Sequence, residues 1–413
     1  MSAVSGFLST QQATSNDLVG EWMDEILVRQ GKSANMNSTL FGLMSRLPAE
    51  QTENIQFNWW ERDPVRRNFY SNNGLLLAGS TTLTFDDGAG NSVFPLLDIH
   101  SILHNNRTGE RVRVTAAPTS DGVVVARSAK GTNGSNTTAA AILDNDVWTL
   151  IGTPKDEGAD PARASYEQPG SFNNYIETFN STVFLANAYK AGVLRTDKEG
   201  PKNQLKVQAL EKVCNDIELS LFFGAKDTVA GANGLVYQTG GIISAIDTAA
   251  VTDATLTANI LNGAGGTGVS LATFNTWLQS ILINGSDAKV AFCGPQAYAA
   301  LTNYANTAAG GFRIMNNEGN IFGMNLTVIN TPYGELSLCM HPLFKNVSLY
   351  NKYMVIVDLK LVKQKVMEPL FYEDEIQLPG QDSYKGQFRA KIGLKQQYPG
   401  AFGYAYNLQQ INA

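Results

Sequence analysis

Apolar positions recur at three- and four-residue spacing over one long stretch of this chain, Glu199 to Phe223. Leu210, Val213, Cys214, Ile217 and Leu221 form its stripe, and Glu211, Lys212 and Glu218 lie off that stripe. The spacing predicts an amphipathic helix, with Asp197 as cap, Pro201 in the first turn and Gly224 as the stop. At 1.5 Å per residue such a rod is about 35 Å long, enough to brace a whole domain. A shorter helix is predicted after Asn16 or Asp17, with Leu18, Val19, Trp22, Met23, Ile26 and Leu27 as its stripe and Gly31 as its end. Two more follow: Ser270 caps a helix bearing Phe274, Trp277, Leu278 and Ile281, and Gly294-Pro295 opens another bearing Tyr298 and Leu301.

Elsewhere the period is two. Ile55, Phe57 and Trp59 alternate until Pro64 breaks the strand. From about Leu75 to Ile151 the pattern predicts a small antiparallel β module or barrel. Leu83 and Phe85 precede the turn Asp86-Asp87-Gly88, and Val112 and Val114 alternate with Arg111, Arg113 and Thr115. Asp121-Gly122 is a hairpin signal before Val123 to Val125. Gly131 to Thr138 reads as loop, Val147 to Ile151 as strand, and Asp156 to Gly170 as loop again. Residues 235 to 345 read as mixed α/β, with strands at Val290 to Cys293 and Met324 to Asn330 and a turn at Tyr333-Gly334-Glu335 leading into Leu336 to Met340. Tyr353 to Leu361 is an apolar run typical of a strand buried on both faces. Phe388, Ala390, Ile392 and Leu394 alternate with Arg389, Lys391, Gly393 and Lys395, one face buried and one basic. Pro399-Gly400 fits the centre of a type II turn, and Phe402, Tyr404, Tyr406 and Leu408 alternate after it, so a closing hairpin integral to the fold is expected. The fold class is α+β. The first seventy residues have one small helix and little core of their own, and read as an arm.

Composition adds the surroundings. The 413 residues allow two or three domains, and 43% hydrophobic residues suffice for a sizeable core. Charged residues make up only 16%, against about 25% in a typical soluble domain. Such a surface either faces other protein or is built from uncharged Asn, Gln, Thr and Ser. A net charge of −6 argues against avid, sequence-independent binding of nucleic acid, though not against passive enclosure of it. Cys214, Cys293 and Cys339 show no metal-ligand spacing and lie in apolar runs, as buried free thiols of a reducing compartment do. Met1 to Gln12 lacks the features of a secretory signal, and no window approaches 18 continuous apolar residues, so no membrane span is expected.

Chemistry-bearing motifs are sparse. Gly31-Lys32-Ser33 fails as a phosphate loop because Ile26 stands where a Gly is required. Gly263 to Gly268 lacks the strand and helix that must flank a dinucleotide loop. His100 and His104 sit in a strand-and-turn region and lack a zinc-protease Glu, and His341 is remote in sequence. There is no nucleophile elbow. Asp156/Glu157 and Glu373/Asp374/Glu375 read as solvated charge, and Lys360, Lys363 and Lys365 as an exposed basic face. Arg62, Arg66 and Arg67 near Trp59, Trp60, Phe69 and Tyr70 could stack single-stranded nucleic acid. Ion pairs to a neighbouring subunit are the preferred reading of that cluster. No catalytic, cofactor-binding or metal residue is assigned, no cofactor is called for, and no enzyme activity is expected.

In order and spacing, the segments over about residues 10 to 410 resemble the major capsid protein of tailed bacteriophages. Gly109-Glu110-Arg111-Val112-Arg113-Val114-Thr115, Val125-Ala126-Arg127 and Gly131-Thr132 resemble the β module of its group with an enlarged extended loop, and Leu150-Ile151-Gly152 with Glu157-Gly158 the exit. Gln208 to Lys212 and Asp216 to Glu218 resemble the spine helix, and Ile356-Val357-Asp358 a strand after the axial domain. At Ser128 similar sequences often carry Gly. The resemblance implies the Hong Kong 97-type fold: an N-terminal arm at 1–70, an extended loop with inserted β module at 71–185, a peripheral domain with the spine helix at 186–235, an axial domain at 236–345, and peripheral strands at 346–413. It further implies self-assembly into hexamers and pentamers of an icosahedral shell enclosing double-stranded DNA, assembled in a host cytoplasm beside a portal and scaffolding or decoration proteins. No cross-linking Lys–Asn pair is matched, and no cleaved N-terminal domain is expected.

Two alternatives compete with the shell reading. Another phage structural part, a tail-tube or decoration protein, fits the strands but not the long helix. A β-rich carbohydrate-binding protein or enzyme fits the Asn/Gly/Thr-rich loops and requires a discrete pocket with perturbed acids in a stable monomer.

Overall fold

The computed structural model describes residues 49–412, apart from 63–66, 89, 159–168, 188–200, 264–267, 307–313, 322–323 and 347–349. The expected helix after Asn16, the Gly31-Lys32-Ser33 motif, Pro64, Arg66, the Asp197 cap and most of the Gly263 to Gly268 loop lie outside the described residues.

Gln56–Glu61 pairs antiparallel with Gly170–Tyr175 as a two-stranded ribbon. Between the ribbon's ends the chain closes a six-stranded barrel. Its spatial order is Asn68–Ser71, Thr82–Asp86, Gly122–Ala126, Arg111–Val114, Ile102–Asn105 and Val147–Gly152, returning to the first. Alternation is the cause: Phe69, Leu83, Phe85, Leu103, Val112, Val114, Val123, Val125 and Trp148 all point inward and are buried. Closure leaves no unpaired edge, so the module buries its own core. The hairpin signal at Asp121-Gly122 brings Val125 opposite Val114, as expected. Residues 56–61 and 68–70, within the stretch read from sequence as an arm, contribute strands to the ribbon and the barrel. Their partners lie far downstream, beyond the reach of local periodicity.

The long helix spans Pro201–Phe223. At Gly224, a Cβ would lie 2.5 Å from the Ser220 carbonyl oxygen and 2.6 Å from that of Thr239, so the stop requires glycine. The buried stripe is Ala209, Val213, Ile217 and Leu221, joined by Phe222. This corrects the expected stripe in three places. Leu210 is exposed, Cys214 is half-buried, and Glu218, expected off the stripe, is wholly buried. The true stripe runs at strict four-residue spacing and includes a small alanine.

The helix packs on a four-stranded sheet ordered Glu50–Gln51, Val362–Glu373, Ser383–Gln396, Glu177–Ala186. Its outer strand alternates strictly, with Phe179, Val183 and Leu185 buried and Asn180, Thr182 and Phe184 exposed. The basic-faced strand at 388–395 is observed, with Ala390, Ile392 and Leu394 buried.

On the other side of that core lies a seven-stranded sheet. Its order is Ile260–Asn262, Gly403–Tyr406, Met354–Val357, Ala288–Cys293, Gly334–Met340, Met324–Thr331, Ile314–Ile321. Met354–Val357 is buried throughout, as its apolar run predicts. Helices Leu271–Leu282 and Pro295–Asn306 cover the far face. The Ser270 hydroxyl accepts a hydrogen bond from the Thr273 N–H, the cap read from sequence.

The expected closing hairpin does not form. Ser383–Gln396 pairs with Val362–Glu373 and Glu177–Ala186 in one sheet, whereas Gly403–Tyr406 pairs with Met354–Ile356 and Ile260–Asn262 in the other. Between them Tyr398 takes the left-handed conformation, φ 54°, and Pro399–Ala401 makes one 3-10 turn, with Phe402 N–H donating to the Pro399 carbonyl at 3.0 Å. Phe402, Gly403, Tyr404 and Ala405 are all buried, so this segment is a central strand covered on both faces. The boundary placed after residue 345 therefore runs through the seven-stranded sheet, which contains Met354–Val357 and Gly403–Tyr406. The hairpin Asp227–Gly231/Gly234–Gln238 and the helix Ile242–Thr252 were not anticipated.

Candidate assembly site

Buried polar groups in this protein fasten one element to another. Glu218, on the long helix, meets His341, which follows the strand Gly334–Met340. Oε1 and Nε2 are 2.7 Å apart and both side chains are 0% exposed. Leu343 N–H donates to His341 Nδ1 at 3.2 Å, so Nδ1 is the acceptor and Nε2 carries the hydrogen given to Glu218. Phe222, Phe292 and Phe344 surround the imidazole.

Lys289 is buried in the same manner. Its ammonium donates to the carbonyls of Ile281 at 2.8 Å, Asn284 at 2.5 Å and Ala401 at 2.7 Å. Two of these close the C-terminal end of helix Leu271–Leu282, where a cation is favoured, and the third belongs to the 3-10 turn. Burial pulls its pKa down to about 8, against the attraction of Asp358.

Glu50 is held by three lysines: Lys363 at 2.8 Å, Lys365 at 2.6 Å and Lys395 at 3.4 Å. Hydrogen bonds from Lys363 and Lys365 bring its pKa down to about 2. Lys360 is exposed as expected, but Lys365 is not: its side chain is 16% exposed. The basic face predicted there serves as the counter-charge for Glu50. In the barrel, Arg127 grips Glu110 through two hydrogen bonds of 2.7 and 2.6 Å, both side chains being almost fully buried. Arg107 grips Asp146 the same way, and that hydrogen bonding holds the Asp146 carboxyl below its usual range. Glu110 and Arg127 both belong to the motif singled out in the sequence.

Other candidates are scattered. His100 lies in a left-handed turn near the exposed Asp156, at 3.2 Å, while His104 is in a barrel strand and His341 beside the long helix. Among the described residues no group of three or more His, Cys, Asp or Glu could hold a metal ion. Glu373 and Asp374, expected as solvated charge, are engaged. Arg389 pairs with Glu373, and Tyr384, Lys202 and Lys206 face Asp374. Burial pushes the Cys339 thiol up to about 11 and the buried Cys293 thiol up as well, which disfavours the reactive thiolate. Two aromatics of the aromatic–arginine cluster are separated: Phe69 is inside the barrel, whereas Trp60 is 68% exposed on the ribbon. No helix among the described residues is long and apolar enough to cross a membrane.

What remains on the outside is apolar and widely spread. Trp60 lies on the ribbon, and Leu75 and Leu77 on the barrel. Phe184 lies on the outer strand of the four-stranded sheet, and Val229, Leu235 and Val236 on the 227–238 hairpin. In that hairpin every residue but Tyr237 is exposed. A lone two-stranded hairpin is marginal in water, and exposed apolar surface of this kind marks contact with other protein.

A chain from the structure of Mycobacterium phage Adephagia is 9% identical over 99% of both chains, with a TM-score of 0.44. One from Mycobacterium phage Bobi is 8% identical over 99% of this chain and 100% of that one, with a TM-score of 0.43. The Cyanophage Pam1 capsid asymmetric unit contains a chain 11% identical over 62% of this chain and 82% of its own, with a TM-score of 0.38. No curated protein matches the chain. The family model described as SU10 major capsid protein matches residues 8–409. With nearly its whole length matched, the chain belongs to the SU10 major capsid protein family.

Proposed function

We propose that copies of this chain close into an icosahedral head shell, as hexamers and pentamers, around double-stranded DNA. That it is a shell-forming capsid protein follows from its family; the symmetry, the capsomers and the cargo are the proposal. The observation that carries it is the combination of a braced centre and thin projections. The long helix is locked between two sheets by Val213, Ile217, Leu221 and the Glu218–His341 pair. The ribbon and the 227–238 hairpin present apolar side chains that stay exposed among the described residues. Modest contacts repeated around each subunit add up to a stable shell.

The family brings with it the Hong Kong 97-type fold. In its terms the long helix is the spine, the ribbon with its barrel is the extended loop, and residues 236–345 are largely the axial domain. The four-stranded sheet belongs to the peripheral domain. The arm falls in residues 1–70, of which 56–61 and 68–70 are shared with the ribbon and barrel. The net charge of −6 keeps packaged DNA from adhering to the wall. Assembly takes place in the host cytoplasm, with a portal and scaffolding or decoration proteins as partners, and the subunit performs no catalysis. The test is assembly of purified protein, followed by sedimentation and electron microscopy. Closed particles of uniform size are expected, and a species that stays monomeric at high concentration overturns the reading.

A further inference from the structure

The two long edges of the four-stranded sheet differ in how they are finished. One edge is Val362–Glu373, which carries Lys363, Lys365 and Pro369, has irregular register at Val366/Glu368 and Glu368/Phe371, and is partly covered by Glu50–Gln51. Charges, proline and bulges are the devices by which proteins keep a sheet edge from pairing with another chain.

The opposite edge has almost none of them, its one charged residue being Glu177 at the first position. Glu177–Ala186 is ten residues long, is regular in register throughout its pairing with Ser383–Gln396, and contains no proline, lysine or arginine. Among the described residues nothing pairs with its outer side. In an antiparallel pair, alternate residues turn their N–H and C=O groups away from the partner strand. About half of this strand's backbone groups therefore face outward over about 33 Å. Asn180, Thr182 and Phe184 are exposed beside that edge, Phe184 at 64%. A groove of about 420 Å³ adjoins its first four residues, lined by Glu177, Thr178 and Asn180 on the strand and Asp216, Leu219 and Ser220 on the long helix.

We propose that this edge receives a strand from a second copy of the chain, extending the four-stranded sheet across a subunit boundary. The proposal rests on the shell-forming reading, which supplies the partner: a protein whose neighbours are copies of itself meets them at every unfinished surface. Main-chain pairing gives affinity whatever the side chains, which suits a subunit that must make the same contact in non-identical surroundings. The groove, bearing Glu177 and Asp216, takes uncharged or basic side chains of the incoming strand.

Hydrogen exchange tests it on the full chain, comparing free subunits with particles assembled from this protein alone. Amides within 177–186 that exchange freely in subunits are expected to slow by about 100-fold or more in particles. Substituting Asn180→Lys and Thr182→Lys together, on the exposed face of the edge strand, is expected to cut particle yield at least about tenfold while leaving the subunit's thermal unfolding unchanged. Particles that form normally with no added protection at 177–186 overturn the strand pairing and leave the shell reading intact, as does full assembly of the double variant. Protection that appears only when another protein is added assigns the edge to that protein and overturns the second-copy proposal. Failure of the unaltered chain to form particles overturns both.

Discussion

Glu218 and His341 lie 123 positions apart in the chain and meet at 2.7 Å in an environment from which water is excluded. The contact fastens the long helix to the seven-stranded sheet inside a cage of Phe222, Phe292 and Phe344. Truncating Glu218→Ala leaves the imidazole N–H buried without its acceptor, a loss of about 2–4 kcal/mol. Glu218→Gln keeps an acceptor oxygen within reach and is expected to cost about 1 kcal/mol. Denaturant unfolding of the two variants checks the order; equal losses would show that an amide oxygen does not replace the carboxylate as the acceptor of the His341 N–H.

The Glu50 cluster makes a pH prediction. Hydrogen bonds from Lys363 and Lys365 hold the folded carboxyl at about 2, from an ordinary 4.5. A group depressed on folding stabilises above its unfolded value and loses that contribution as pH falls toward its folded value. The contribution is therefore complete above about pH 4.5 and fades toward pH 2. After allowance for solvent at a side chain 30% exposed, it amounts to about 1–2 kcal/mol. Glu50→Gln should remove this acid-sensitive component, so that wild type and variant converge in stability toward pH 2. Parallel curves from pH 6 to 2 would contradict it.

These two sites show where sequence reading succeeds and where it stops. Period and punctuation located the long helix, the barrel strands, the helix capped by Ser270 and the buried strand Met354–Val357, because each is decided by its own residues. Glu218 was misplaced because a charged residue within a helix reads as solvent-facing unless its partner is known, and His341 is far away in sequence. Lys365 was misjudged for the same reason, with Glu50 as the distant partner. The closing hairpin failed because Ile392 and Tyr404 lie on equally alternating strands, and nothing local says that they belong to different sheets. The outer strand Glu177–Ala186 was legible in its strict alternation and was overlooked.

Ser128 holds φ at 57°, in the left-handed region that costs an L side chain about 1 kcal/mol. Its N–H also donates to Glu110 at 3.3 Å, so the turn is fixed by the buried Glu110–Arg127 pair. Ser128→Gly relieves the strain, partly offset by the greater freedom of glycine in the unfolded chain. A net gain of about 0.5 kcal/mol is expected, read as a rise in the barrel's unfolding temperature. A fall would mean that the Ser128 side chain makes a stabilising contact outweighing the backbone strain.

Lys289 ties the end of helix Leu271–Leu282 to the turn at which the chain crosses from one sheet to the other. Its three carbonyl acceptors come from Ile281, Asn284 and Ala401. Lys289→Met fills much of the same space but supplies no donor; the Ile281 carbonyl keeps the Asn284 N–H at 3.3 Å, while those of Asn284 and Ala401 lose the ammonium. Each buried acceptor left unmade costs about 1 kcal/mol or more, so a loss of about 2 kcal/mol is expected. The damage should be local. Amides at 399–405 are expected to exchange faster, because Gly403–Tyr406 depends on that turn to enter the seven-stranded sheet, while the barrel amides, which close on themselves, are unchanged. Uniform acceleration across both would show instead that Lys289 supports global stability and not this crossover.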